Sequence, residues 1–288
     1  MNLNFGGVIM QIELQLSGSE NSILPFDYYH ELASAFYSAL EKSYPDFAHN
    51  LHDGEHFGRM KLFVFSPLNS DPHPRVIHLS NGQAALQFGS RIWMRFASIW
   101  PELLYYLAES LQRVRVISVR GRNFAVKTCE MVPTPNFLPS LIYRPFGQAS
   151  CIVCPYTVDG KSRFQMPDDS ENGIPSCREL IAGNLRHKLL RLRDVRPDIF
   201  ENITTIANLD TDAISQLPIT VEFLPLKENC SYRTLLYRLK GHNIRGFRAP
   251  VQITAPEAIH RIVWDCGLGA CNSMGYGMVE LGRNTSCC

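Results

Sequence analysis

At 288 residues the chain has room for two ordinary domains and a substantial core. Hydrophobic residues at 45% and charged residues at 19% exclude a disordered chain, and 28 Lys plus Arg against 27 Asp plus Glu leave a net charge of +1, so any nucleic-acid surface must be a local patch. No run of about 18 apolar residues could span a membrane, and the N-terminus lacks the layout of a secretory signal.

Val8 to Leu16 alternates apolar and polar residues and reads as a half-buried strand. Asp27 is a natural N-cap for an amphipathic helix over Tyr28 to Ser43, where Leu32, Phe36, Ala39 and Leu40 recur at helical spacing. Lys61 to Leu68 reads as a second strand, and Gln83 to Phe88 with Arg91 to Phe96 as a third strand or a broken pair. Pro101 to Leu111 is again helical. Val114 to Val132 is β-branched and long enough for a bent strand or a hairpin turning near Gly121.

A proline-rich passage with Pro133, Pro135, Pro139 and Pro145 predicts a linker over 134–149, between domains at 1–133 and 150–288. The pattern then repeats. Ser150 to Val158 is strand-like, Cys177 to Arg193 is a basic helix, Ile219 to Leu226 and Tyr232 to Lys240 are strand-like, Ala255 to Cys266 is helical, and Met278 to Leu281 starts a closing strand. Asn202 to Leu217 fits no clean element. Two β-α-β-β-α-β runs imply an α+β protein of two tandem ferredoxin-like domains, without sequence repetition between the halves.

Nine scattered cysteines point to reduced thiols in a cytoplasmic setting. Cys151 and Cys154 have CxxC spacing, but no second pair sits at finger spacing, so they read as part of a strand and no metal site is expected. Cys287 and Cys288 read as a tail.

The most specific motif is the run from Gly267 to Gly277, in which Gly267/Gly269 and Gly275/Gly277 bracket five residues between a helix and a strand. Such glycines permit left-handed backbone and a nest of N–H groups suited to phosphate, and equally a tight turn. The P-loop and dinucleotide-binding fingerprints are missing, and no cofactor is expected.

This loop resembles the C-terminal glycine-rich signature of the repeat-associated mysterious protein (RAMP) superfamily. More narrowly it is similar to the "Cas six" family of CRISPR-associated endoribonucleases. The strand Gln11 to Leu16, the helix Tyr28 to Leu40, the run Phe47 to Asp53, the strand Lys61 to Ser66 and the segment Lys240 to Cys266 follow in that family's order. The resemblance implies two RRM-like domains and metal-independent cleavage of precursor CRISPR RNA within its repeats. In that reaction a 2′-hydroxyl attacks the adjacent phosphate and leaves a 2′,3′-cyclic phosphate and a 5′-hydroxyl. It further implies a catalytic set of His52, Tyr37 and Lys61, with His49, His56 and His30 as nearby helpers or substitutes. CRISPR repeat RNA is the expected partner; effector-complex proteins and a second copy of the chain are further candidates. The sequence departs from the family in lacking Lys or Arg between the glycine pairs.

Three basic clusters complete the expected RNA surface. Arg113, Arg115, Arg120, Arg122 and Lys127 share one β segment; Arg186, Lys188, Arg191 and Arg193 share one helix, whose bland reading is a solvated face. Arg233, Arg238, Lys240, Arg245 and Arg248 are interleaved with Tyr232, Tyr237, His242 and Phe247, which suits backbone and base contacts together. Two rival readings remain. A non-cleaving subunit of the same superfamily would carry the same loop, and a small-molecule enzyme could use the same scaffold.

Overall fold

The computed structural model describes residues 10–18, 22–53, 60–170, 173–239 and 242–282. His56 and Lys240 lie outside the described residues.

The first strand, β1 (Gln11–Ser17), buries Ile12, Leu14 and Leu16 on one face. Glu13, on the other face, pairs with Arg95 at 2.8 Å. A register slip of one residue would exchange these faces, so the alternation fixes the pairing. Helix α1 (Tyr29–Ser43) buries Leu32, Phe36, Ala39 and Leu40 as its spacing predicts. Asp27 does not cap it: Tyr28 holds the cap position without a side-chain bond, and the Asp27 carboxylate lies 3.2 Å from Arg120.

Then come α2 (Pro45–Asp53), the short β2 (Phe63–Phe65), β3 (Arg91–Ser98), α3 (Pro101–Val114), β4 (Val116–Val119) and β5 (Arg122–Val132). The antiparallel sheet runs β2-β3-β1-β5-β4, with Asn69–Asp71 also on β3. The 114–132 segment is thus a hairpin turning at Arg120 and Gly121, both at positive φ. Ala84–Gln87 leaves this sheet and joins Ile23–Pro25 and Arg75–His78 in a small one.

The proline-rich passage is not a free linker. Ser140–Pro145 is β6, hydrogen-bonded on both edges within a second antiparallel sheet ordered β7-β8-β6-β9. Its partners are β7 (Thr220–Phe223), β8 (Val251–Thr254) and β9 (Val279–Leu281). The prolines were misleading because Pro139 precedes the strand and Pro145 ends it, positions that remove no central ladder bond.

Helix α4 (Cys177–Val195) opens on a capping box: the Ser176 hydroxyl accepts from the Glu179 N–H, and the Glu179 carboxylate accepts from the Ser176 N–H. Helix α5 (Pro197–Ile206) occupies the stretch that no pattern resolved, and α6 (Glu257–Cys266) precedes the glycine loop. Each half is therefore a ferredoxin-like β-α-β-β-α-β unit, with its first strand between its third and fourth. Two hairpins are inserted in the second half, Pro155–Val158 with Lys161–Phe164 and Arg233–Leu239 with His242–Arg248.

One hydrophobic core runs through both halves. Polar bonds cross the seam as well: Gln11 donates to the Trp264 carbonyl at 2.8 Å, and the buried Cys266 thiol lies 3.6 Å from the Leu62 carbonyl. None of the described cysteines is disulfide-bonded. Among the described residues no helix is long and apolar enough to cross a membrane, and no three His, Cys, Asp or Glu side chains gather as a metal site.

Candidate active site

Three separate elements bring Tyr37, His52 and Lys61 together. Tyr37 lies on α1 beside its buried stripe, His52 sits exposed in the last turn of α2, and Lys61 stands two residues before β2. The Lys61 ammonium donates to the Tyr37 phenol oxygen at 2.7 Å and to the His52 backbone carbonyl at 3.4 Å. The Tyr37 and His52 rings meet edge-on with centroids 5.6 Å apart. Burial pushes the Tyr37 phenol well above its ordinary pKa, so it stays protonated. With Lys61 donating to its oxygen, its own proton is available to an acceptor. His49 is exposed one turn before His52, and His30 is half-buried near the start of α1.

The glycine loop closes on this cluster from the second half. Ser273 shares a small apolar cleft with Tyr37, Phe36 and Phe65. Gly267, Gly269, Gly275 and Gly277 all have positive φ and are buried. At Gly277 a Cβ would lie 2.0 Å from the Leu268 carbonyl oxygen, and at Gly269 2.5 Å from that of Val153, so only glycine fits. The expected phosphate nest is largely spent inside the protein. Leu268 donates to Gly277, Ala270 to Val153, Gly275 to Asn272 and Gly277 to Cys151, at 2.7 to 3.0 Å. Residues 150–154 are accordingly not a strand but a buried segment between the loop and the second inserted hairpin, joined to the latter by one bridge, Ile152 to Phe247.

Beneath the loop lies Lys188, 2% exposed. Its ammonium donates to the carbonyls of Gly267 at 2.7 Å, Gly269 at 3.1 Å and Cys266 at 3.2 Å, so each N–H meets one acceptor. Burial pulls its pKa down to about 8. This lysine was expected on a basic outer surface and instead holds the loop from within. Its neighbours divide as well: Arg186 donates to the Leu217 carbonyl at 2.9 Å, whereas Arg191 and His187 face a groove of about 610 Å³ that begins at Lys61. Sequence reasoning passed over His187, although it stands one helical turn before Arg191.

On the Arg233–Arg248 hairpin, Arg233, Arg238 and Arg245 are exposed. Arg238 and Arg245 share an outer face with Leu236, because Leu236 pairs with Arg245 and Arg238 with Asn243. Arg248 departs from the expected role: its guanidinium donates to the carbonyls of Gly147 at 2.6 Å, Pro145 at 3.3 Å and Ser150, and anchors the hairpin base. Arg120 is likewise held, between Asp27 and Glu31.

Paired ferredoxin-like units that meet at a buried glycine loop, with Tyr37, His52 and Lys61 gathered at its edge, define a protein of the tandem ferredoxin-like class. Comparison with known proteins agrees. Residues 23–130 match the model of the CRISPR-associated protein Cas6 N-terminal family, and residues 146–281 that of the Cas6 C-terminal family. A CRISPR-associated endoribonuclease Cas6 of Methanocaldococcus jannaschii is 22% identical over 276 residues, 94% of this chain and 92% of that protein. The structure of a Cas6-related protein from Pyrococcus furiosus superposes with a TM-score of 0.72 at 18% identity, covering 96% of this chain and all of that one. A RAMP protein described as binding different RNA substrates gives 0.68 at 18% identity, over 95% of this chain and all of that one. A Cas6 product complex gives 0.63 at 14% identity with the same coverage. The chain belongs to the Cas6 family of CRISPR-associated proteins and is a homologue of a Cas6 endoribonuclease.

Proposed function

We propose that the protein cleaves precursor CRISPR RNA within its repeats by metal-independent transesterification. The observation that carries this reading is the convergence of Tyr37, His52 and Lys61 in one contiguous cluster from three elements. The ribose 2′-oxygen bonds to the adjacent phosphorus as its proton passes to the His52 imidazole. The bond from phosphorus to the 5′-oxygen then breaks, and that oxygen takes a proton from solvent as it leaves, while His52 returns the proton it took to solvent. Such proton transfer by a positioned histidine accelerates a reaction by about 10²- to 10⁴-fold. The Lys61 ammonium offsets charge building on the phosphorane, and the Tyr37 hydroxyl donates to the same oxygens. The products are a 2′,3′-cyclic phosphate and a 5′-hydroxyl.

In this reading the exposed Arg233, Arg238 and Arg245 bind the repeat, and Lys240 extends the same run in sequence. The loop glycines act by letting the chain fold tightly behind the reacting phosphate. Effector proteins and a second copy of the chain are the further partners this reading allows, in the cytoplasm.

The test is a labelled CRISPR repeat RNA from the same genome, incubated in EDTA with wild type and with His52→Ala. Wild type is expected to release a cyclic-phosphate product, and the variant to bind equally while cutting at least about 10²-fold more slowly. Binding without cutting by both proteins would replace this reading with that of a non-cleaving RNA-binding subunit.

A further inference from the structure

Helix α4 exposes one stripe that leads away from Lys61. Leu180, Asn184, His187 and Arg191 recur at intervals of three and four residues, so they stack along one face. That face borders two adjoining depressions. One is the groove of about 610 Å³ that starts at Lys61 and is floored by Ser273 and Met274 of the glycine loop. The other, of about 640 Å³, reaches Gly173 beyond the start of α4, and Asn184 and His187 line both. The result is a continuous trough from the proposed reaction centre along the helix.

Its chemistry is mixed in a particular way. Arg191 keeps a side chain 25% exposed, and its ion pair among the described residues is a loose one, 3.7 Å, to the exposed Asp194. His187 is exposed beside it. The side-chain oxygen of Asn184 is buried yet accepts no hydrogen bond from any of the described residues. Met60 and Met274 supply apolar surface at the Lys61 end. Gly183 adds an independent mark. It sits inside α4, where glycine weakens a helix, and unlike the loop glycines it relieves no crowding, since an added Cβ would meet nothing within 4 Å. A bare helix surface there leaves room for something outside the fold.

We infer that the α4 trough holds the single RNA strand running away from the cleaved phosphate on one side. Arg191 and His187 contact backbone phosphates, and the Asn184 oxygen accepts from a ribose 2′-hydroxyl or a base N–H. Cation, hydrogen-bond acceptor and soft apolar surface within one groove are the set a single RNA strand uses. The inference rests on the proposed cleavage site at one end of the trough, and its test is read by affinity so that the two can fail separately.

The probe is the repeat RNA with a 2′-deoxyribose only at the nucleotide whose hydroxyl would attack, so that every other ribose keeps its hydroxyl, in two nested sets shortened from either end. Arg191→Ala is expected to weaken binding of the full-length RNA roughly fivefold and to lower the slope of log affinity against log salt by about 0.7, the loss of one phosphate contact to a single strand. Gly183→Phe places a ring in the trough from a position where the added Cβ meets nothing within 4 Å. It should melt no lower than wild type yet bind the full-length RNA as weakly. Both penalties should vanish together once one end, and only one, is trimmed past a defined nucleotide. Penalties that persist at every length, or variants that bind every RNA as wild type does, overturn the inference. If wild type cuts no natural repeat RNA while this affinity pattern holds, the catalytic reading fails and the trough stands.

Discussion

Replacing Lys188 with Met removes the ammonium that holds three carbonyls of the glycine loop. Two effects oppose each other. Burial lowers the lysine pKa from 10.5 to about 8. That drop corresponds to roughly 3 to 4 kcal/mol of unfavourable charge burial, which Met would relieve. Against it, three carbonyl oxygens lose a charged donor at about 1.5 to 3 kcal/mol each, about 4.5 to 9 kcal/mol together. The carbonyls win, by about 3 kcal/mol near the middle of these ranges, and a chain of this size should melt roughly 6 to 12 °C lower. Calorimetry or circular dichroism at pH 7 reads this directly. A pH series reads it a second way. Between pH 8 and 10.5 the unfolded lysine binds more protons than the folded one. Wild type therefore gains stability from this group as pH rises through that window and loses it as pH falls, whereas Lys188→Met lacks this component. A variant that melts with the wild type and keeps its slope over that window refutes the reasoning.

Burial pushes the Asp265 carboxyl well above the usual carboxylate range, against the pull of Arg261 at 3.4 Å. Its stabilising contribution is complete below the unfolded pKa of about 4 and declines as pH rises through the folded value, so the melting temperature of Asp265→Asn relative to wild type should climb steadily from acid to neutral pH. On the hairpin, the double change Arg238→Ala with Arg245→Ala should leave melting unchanged and flatten the salt dependence of repeat-RNA affinity by about 0.7 per lost contact. Arg248→Ala should instead lower the melting temperature, because three carbonyls lose their donor.

The elements most legible in the sequence were those whose burial is periodic. Leu32, Phe36 and Leu40 announce α1, and Ile12, Leu14 and Leu16 announce β1, because one face of each meets the core. Segments whose role is set by distant partners were not legible. Residues 150–154 look like a strand because they are apolar, yet their carbonyls serve a loop more than a hundred residues later. Lys188 is chemically identical to its neighbours on a basic helix, and only its position under the loop makes it internal. Arg245 and Arg248 differ in the same hidden way: one sits mid-hairpin on the outer face, the other where the hairpin base meets buried carbonyls. The Tyr37, His52 and Lys61 set came from family resemblance, since no periodicity marks three residues that meet only through the packing of α1, α2 and β2.

Gly267 and Gly275 belong to the second half, yet the atoms nearest their missing side chains include Val64 and Phe65 of the first, at 3.0 and 2.9 Å. The strand carrying those two residues is three residues long and follows Lys61 almost at once. The boundary between the halves thus runs beside the cluster of Tyr37, His52 and Lys61. A chimera that joined either half to its counterpart from a distant relative would inherit a mismatched seam where Val64 and Phe65 pack against the loop glycines. Val64 and Phe65 have little room to change in size unless the loop packed on them shifts as well.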